Sequence, residues 1–132
     1  MPSFISDLWI FSKDGLPLIE VFNNDKINST LLGAFLSAIE SFSFKLSGTE
    51  LKSINLGENK FILTSFLEGN VYLAIKCDLK VKNKKIERIF KIIIDYFEEL
   101  YNAEDIKNWD GDITFFNKFK ERIHLYFQMY DL

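Results

Sequence analysis

His124 is the only histidine and Cys77 the only cysteine, so acid–base or nucleophilic chemistry would need one of them or a set of carboxylates. At about 100° per residue, His124 projects away from Phe119, Ile123 and Phe127 and toward solvent, with no motif to place a reacting group beside it. Cys77 continues the Val71, Leu73, Ile75 face of a strand, the position of a buried structural thiol rather than of a nucleophile. The acidic run from Glu104 to Asp112 invites comparison with a calcium loop. Aligning Gly111 with the loop glycine, however, puts Ile106 at the first ligand position and Asn117 where a bidentate glutamate belongs. The run therefore reads as a solvated loop with Trp109 packed back on the domain. No Gly-rich loop is followed by the Lys-Ser/Thr pair of a phosphate-binding loop, so the chain is not expected to be a GTPase itself. We expect no catalysis, no cofactor and no metal.

One charged feature stands apart. Lys80, Lys82, Lys84, Lys85 and Arg88 crowd between Lys76 and Lys91, interrupted only by Asp78 and Glu87. Basic residues oppose the dipole at a helix N-terminus. The cluster suits either an anionic lipid or acidic surface, or a solvated loop and helix start. The whole chain has a net charge of −3, which argues against nucleic acid as a partner and allows at most weak peripheral membrane contact.

These residues sit on readable elements. Leu8 to Phe11 and Leu16 to Phe22 flank Ser12-Lys13-Asp14-Gly15, the pattern of a β-hairpin, and Pro17 places its second strand at a sheet edge. Asn28 or Ser29 caps a helix with Leu31, Leu32, Phe35, Leu36, Ile39, Phe42 and Leu46 as its expected core stripe and Gly48 as its terminator. Three strands follow, Leu51 to Leu56, Phe61 to Phe66 and Val71 to Cys77, in an antiparallel meander. A helix over Asn83 to Tyr101 carries Ile86, Ile89, Phe90, Ile93, Phe97 and Leu100 on one face. After a polar stretch from Asn102 to Asp112, a last helix presents Phe115, Phe116, Phe119, Ile123, Phe127 and Tyr130. The composition, 48% hydrophobic and 16% aromatic, supports one packed domain spanning residues 1–132. The N-terminus lacks signal-peptide character and no apolar run approaches the roughly 20 residues of a membrane span, so a cytoplasmic location is expected.

The order β-β-α-β-β-β-α-α resembles the longin family, and local wording adds to the likeness. The stretches are Trp9-Ile-Phe-Ser-Lys-Asp-Gly15-Leu-Pro17-Leu, Asp25-Lys-Ile-Asn-Ser-Thr-Leu-Leu-Gly33, Ser53-Ile-Asn-Leu-Gly57-Glu-Asn-Lys-Phe61 and Val71-Tyr-Leu-Ala74. They are most similar to the first longin domain of the tri-longin Rab exchange factors of the vacuolar and late-endosomal pathway, and the likeness covers about residues 6–101. It implies an α/β fold of longin (profilin-like) type, a three-layer α-β-α domain on a five-stranded, mostly antiparallel sheet. It also implies an interaction platform that dimerises and engages a small Rab-like GTPase in vesicle trafficking. The chain carries one such domain where the exchange factors carry more.

A surface for that role is read on the first helix. Gly33, Ser37 and Ser41 lie opposite the expected core stripe with Phe44 at a similar angle, and Gly33 costs about 1 kcal/mol relative to Ala in a helix interior. This is either a helix–helix seam anchored by Phe44 or a polar face with one exposed ring. Together with Lys52 and Ile54 of the strand Leu51 to Leu56, these residues form the expected interface with a second copy or another longin- or roadblock-type domain. The alternatives are an adaptor or assembly subunit without a GTPase, and a small-ligand sensory domain.

Overall fold

The computed structural model describes residues 4–129, so Tyr130 of the expected last-helix face lies outside the described residues. Strands β1 (Ile5–Ser12) and β2 (Pro17–Asn23) form the expected hairpin, turning at Gly15 with φ +88°. Helix α1 spans Ser29–Ser47; the Asn28 side chain accepts from the Leu31 amide, and Gly48 ends the helix in the left-handed conformation. The meander follows as β3 (Ser53–Leu56), β4 (Asn59–Phe66) and β5 (Val71–Asp78). Helix α2 (Asn83–Leu100) leads to a short α3 (Ala103–Lys107), and a 3-10 turn (Ile113–Phe116) runs into α4 (Asn117–Met129).

The polar stretch after α2 is thus partly helical. Asn102 and Asp105 exchange side-chain and backbone hydrogen bonds in a capping box, which gives a five-residue helix a local reason to form.

The five strands order as β2-β1-β5-β4-β3, and every neighbouring pair is antiparallel. Strand alternation divides the side chains between two faces. Leu8 and Ile10 of β1 point to α2 and α4, where Phe97 meets Phe66, Phe116 and Phe119 ring to ring. Such aromatic pairs contribute about 0.5–1.5 kcal/mol each beyond their buried area. Ile86, Ile89, Phe90, Ile93 and Phe97 are buried, as the periodicity of α2 predicts. Trp9 and Phe11 point to the other face, where Leu32 and Leu36 of α1 close a smaller cluster with Phe61, Leu63, Tyr72 and Ala74. Helices on both sides of one sheet make the three layers.

The connection from β2 to α1 is tied down from beneath. Asp7 is fully buried; one carboxylate oxygen accepts from the Asp25 amide at 3.2 Å, and the other has no hydrogen-bond partner. Lys76 lies 4.0 Å from that second oxygen but donates to Asp25 at 2.6 Å. Loss of water raises the Asp7 pKa above the ordinary carboxylate value; the Asp25 amide opposes this, the Asp25 carboxylate adds to it, and Lys76 partly offsets it. The hydrogen bond from Lys76 holds Asp25 below that value.

Because Asp7 binds its proton more tightly folded than unfolded, its favourable contribution is present in acid and is lost as pH rises through the raised folded pKa. An Asp7→Asn variant keeps the shape and the Asp25 contact without the buried charge. In urea unfolding it should be at least as stable as the wild type at neutral pH, with the advantage shrinking as pH falls into the carboxylate range. A variant clearly weaker at neutral pH would contradict this account.

Candidate interaction surface

Helix α1 is seated on the sheet through its N-terminal half. The Trp9 indole N–H donates to Ser29 Oγ at 3.1 Å, and the Tyr72 hydroxyl donates to the Gly33 carbonyl at 3.3 Å. Burial pushes the Tyr72 pKa well above its ordinary value, which keeps it a donor. Between these bonds the backbones of α1 and the β1–β2 turn meet. A Cβ on Gly33 would lie 2.0 Å from the Gly15 carbonyl oxygen and 2.8 Å from the Phe11 ring, and one on Gly15 would lie 2.4 Å from the Gly33 carbonyl oxygen. Only glycine fits on both sides. Ser37 Oγ adds a long hydrogen bond to the Lys13 carbonyl at 3.5 Å.

This seating corrects the reading of α1. Leu32, Gly33 and Leu36 are the buried residues of the helix, with Ile39 half-buried. Leu31, Phe42 and Leu46 of the expected core stripe are instead 69%, 62% and 73% exposed, and Phe35 is exposed as well. Gly33 and Ser37 do not form an open seam, because they face the hairpin of their own chain. The close backbone approach that the small residues suggested is real, but its partner is Gly15. Ser41, Phe44 and Lys52 are exposed and Ile54 is half-buried.

The surface that results is an apolar stripe of Leu31, Phe35, Ala38, Phe42 and Leu46, spaced four, three, four and four residues apart on one side of α1. A signal for it existed: the helix bears apolar residues around more of its circumference than a one-sided helix needs, and its only charges are Glu40 and Lys45.

The strand that follows α1 in the chain is a sheet edge with free backbone groups. Strand β3 pairs with β4 alone, and the Lys52 carbonyl accepts from the Leu63 amide at 2.8 Å. Antiparallel alternation then directs the amides and carbonyls of Ile54 and Leu56 toward β4 and turns those of Ser53 and Asn55 outward. The opposite edge begins with Pro17, and residues of the 3-10 turn and α4 line a groove beside it.

The chemistry-bearing residues do not converge. Cys77 is buried, and burial raises its thiol pKa, as suits a structural role. His124 is not turned freely to solvent as the helical projection suggested: its ring packs 5.2 Å from Phe22, and its Nε2 is buried without a hydrogen-bond partner. Trp109 packs back on Phe116 and donates to the Asp112 carbonyl. Among the described residues no group of three or more His, Cys, Asp or Glu is placed to hold a metal ion, and no helix is long and apolar enough to cross a membrane.

With an antiparallel five-stranded sheet between α1 on one side and α2 and α4 on the other, the chain has a longin-type α/β fold. Neither a family model nor a curated protein matches the sequence. Among solved structures, Myxococcus xanthus MglB is similar with a TM-score of 0.56 and 17% identity, over 73% of this chain and 85% of that one. A Roadblock/LC7 domain from Streptomyces avermitilis aligns with a TM-score of 0.46 and 11% identity, over 95% and 87% of the two chains. At 17% identity the likeness to MglB is one of fold alone.

The glycine contact is directly testable. In an exposed helix, Gly→Ala stabilises by about 1 kcal/mol. Here Gly33→Ala should destabilise by roughly 1–3 kcal/mol, because the added methyl group overlaps Gly15 and Phe11. Urea unfolding measures the sign, and a more stable variant would show that the hairpin does not fix the seat of α1.

Proposed function

We propose that this chain is a non-catalytic interaction domain that pairs with a second longin-type domain through α1 and β3, and that the pair engages a small GTPase. The observation that carries the pairing is the exposed stripe Leu31, Phe35, Phe42 and Leu46 on α1, in a chain whose β3 edge is also open. Covering a large apolar side chain removes it from water at a gain of up to about 1.5–3 kcal/mol, so four on one helix make an effective seam. The outward groups of Ser53 and Asn55 offer main-chain bonds across a two-fold axis. The seam thus has Ser41 near its rim, Ile54 on its strand and Lys52 just before it, while Gly33 and Ser37 act from inside by seating the helix and Phe44, on their side of α1, lies outside it.

The GTPase rests on the longin resemblance of Trp9 to Leu18, Asp25 to Gly33, Ser53 to Phe61 and Val71 to Ala74. A Rab-like class, a role in vesicle trafficking and a cytoplasmic location are parts of the same reading. Immobilised small GTPases, loaded with GDP or a non-hydrolysable GTP analogue, should retain the wild-type protein, and retention of none of them in either state would oppose the GTPase reading.

Phe42→Glu isolates the pairing. In the single domain Phe42 is exposed, so thermal stability should change little. Across a seam, the buried charge should raise the dimer dissociation constant roughly tenfold to a hundredfold or more. Light scattering over a concentration series measures the shift. A wild type that stays monomeric and takes no longin-type partner, or a variant as dimeric as the wild type, would refute the assignment.

A further inference from the structure

We propose that the end of the sheet carrying the β3–β4 and β5–α2 turns is a contact surface for anionic membrane lipid. Lys80, Lys82, Lys84, Lys85 and Arg88 are exposed there, with Lys91 exposed further along α2, and none of the six forms an ion pair within the described residues, although the chain as a whole is acidic. The arrangement works against its own helix. The first turn of α2 has no acidic residue and its N-cap, Lys82, makes no side-chain capping bond, while Lys84 and Lys85 both lie within one turn of Arg88. Local propensity is thus set aside to keep positive charge together, the kind of conflict that marks a working surface.

Two apolar tips join the charges. The Leu79 amide donates to the Glu58 carbonyl at 2.8 Å, which fastens the β5–α2 turn against the β3–β4 turn. Leu56 and Leu79, at the ends of β3 and β5, are 49% and 42% exposed. The base of the patch is fixed by buried Lys60, whose ammonium donates to Asn83 at 2.8 Å and to the Val81 carbonyl, holding the start of α2 against β4. Lys85 lies 4.3 Å from the centre of the Phe4 ring. The nearby acids are Glu58, Asp78 and Glu87, with Asp95 one turn beyond Lys91; Asp78 is occupied by the Lys80 amide.

Lipid fits this chemistry better than an acidic protein. Five of the six basic residues are lysines, point charges without the fork that reads a carboxylate, and lysine is depleted at protein interfaces. A headgroup layer needs no register from them, and it accepts exposed leucines at its boundary.

The test is co-sedimentation of the full chain with phosphatidylcholine vesicles, with and without phosphatidylserine. Binding should require phosphatidylserine and weaken with salt. The triple variant Lys82→Glu, Lys84→Glu, Lys85→Glu should fall to the phosphatidylcholine level, at roughly fivefold for each charge removed. Leu79→Ser should weaken binding with the charge unchanged. Thermal melts confirm that the variants fold, and light scattering reads pairing separately, so failure here is distinct from failure of the dimer. The proposal is overturned if the wild type binds no better with phosphatidylserine, if the triple variant binds as the wild type does, or if an acidic polypeptide retains the protein while vesicles do not.

Discussion

The backbone of Gly15 rests on the backbone of Gly33, and the position of α1 on the sheet follows from that contact. Two α-carbons without side chains let the hairpin turn and the first turns of the helix come closer than any other pair of residues allows. Ser29, Gly33 and Ser37, successive points along one side of the helix, are each bonded to the sheet or the hairpin. With the helix held so closely at its N-terminal half, its rotation about its own axis is set. Leu32 and Leu36 then fill the space over Trp9 and Phe11, and the remaining large apolar side chains point elsewhere.

The two faces of the sheet consequently do different work. The α2 and α4 face holds most of the buried apolar side chains, with Phe97 at the centre of a group of rings. Stability resides chiefly there. On the other face the C-terminal half of α1, from Ser37 onward, contributes no fully buried residue. A helix that is closed by its caps yet only partly used by the core keeps an apolar face exposed.

Much of this was legible in the residues. The α2 stripe, the Asp14-Gly15 turn, the edge position implied by Pro17 and the antiparallel meander all follow from local patterns, because each rests on short-range geometry. The orientation of α1 was not legible. Its apolar residues extend around a wide arc, and periodicity locates such an arc without saying which part meets the sheet. Gly33 carried the opposite ambiguity: its cost in a helix signals a close approach but does not name the partner, and Gly15 lies 18 positions away in the sequence. His124 was misplaced for a related reason, since its packing depends on Phe22 of a distant strand. The capping box of α3 was available locally, in Asn102 and Asp105.

Hydrogen–deuterium exchange at several protein concentrations tests the interface most directly, because it reads the β3 amides that the fold leaves unpaired. Pairing through α1 and β3 should slow exchange at Ser53 and Asn55 as concentration rises, together with the segment around Phe42, while the amides of β5 at the sheet's centre stay unchanged. Exchange at Ser53 and Asn55 that stays fast at every concentration at which light scattering finds a dimer would place the interface elsewhere on the molecule.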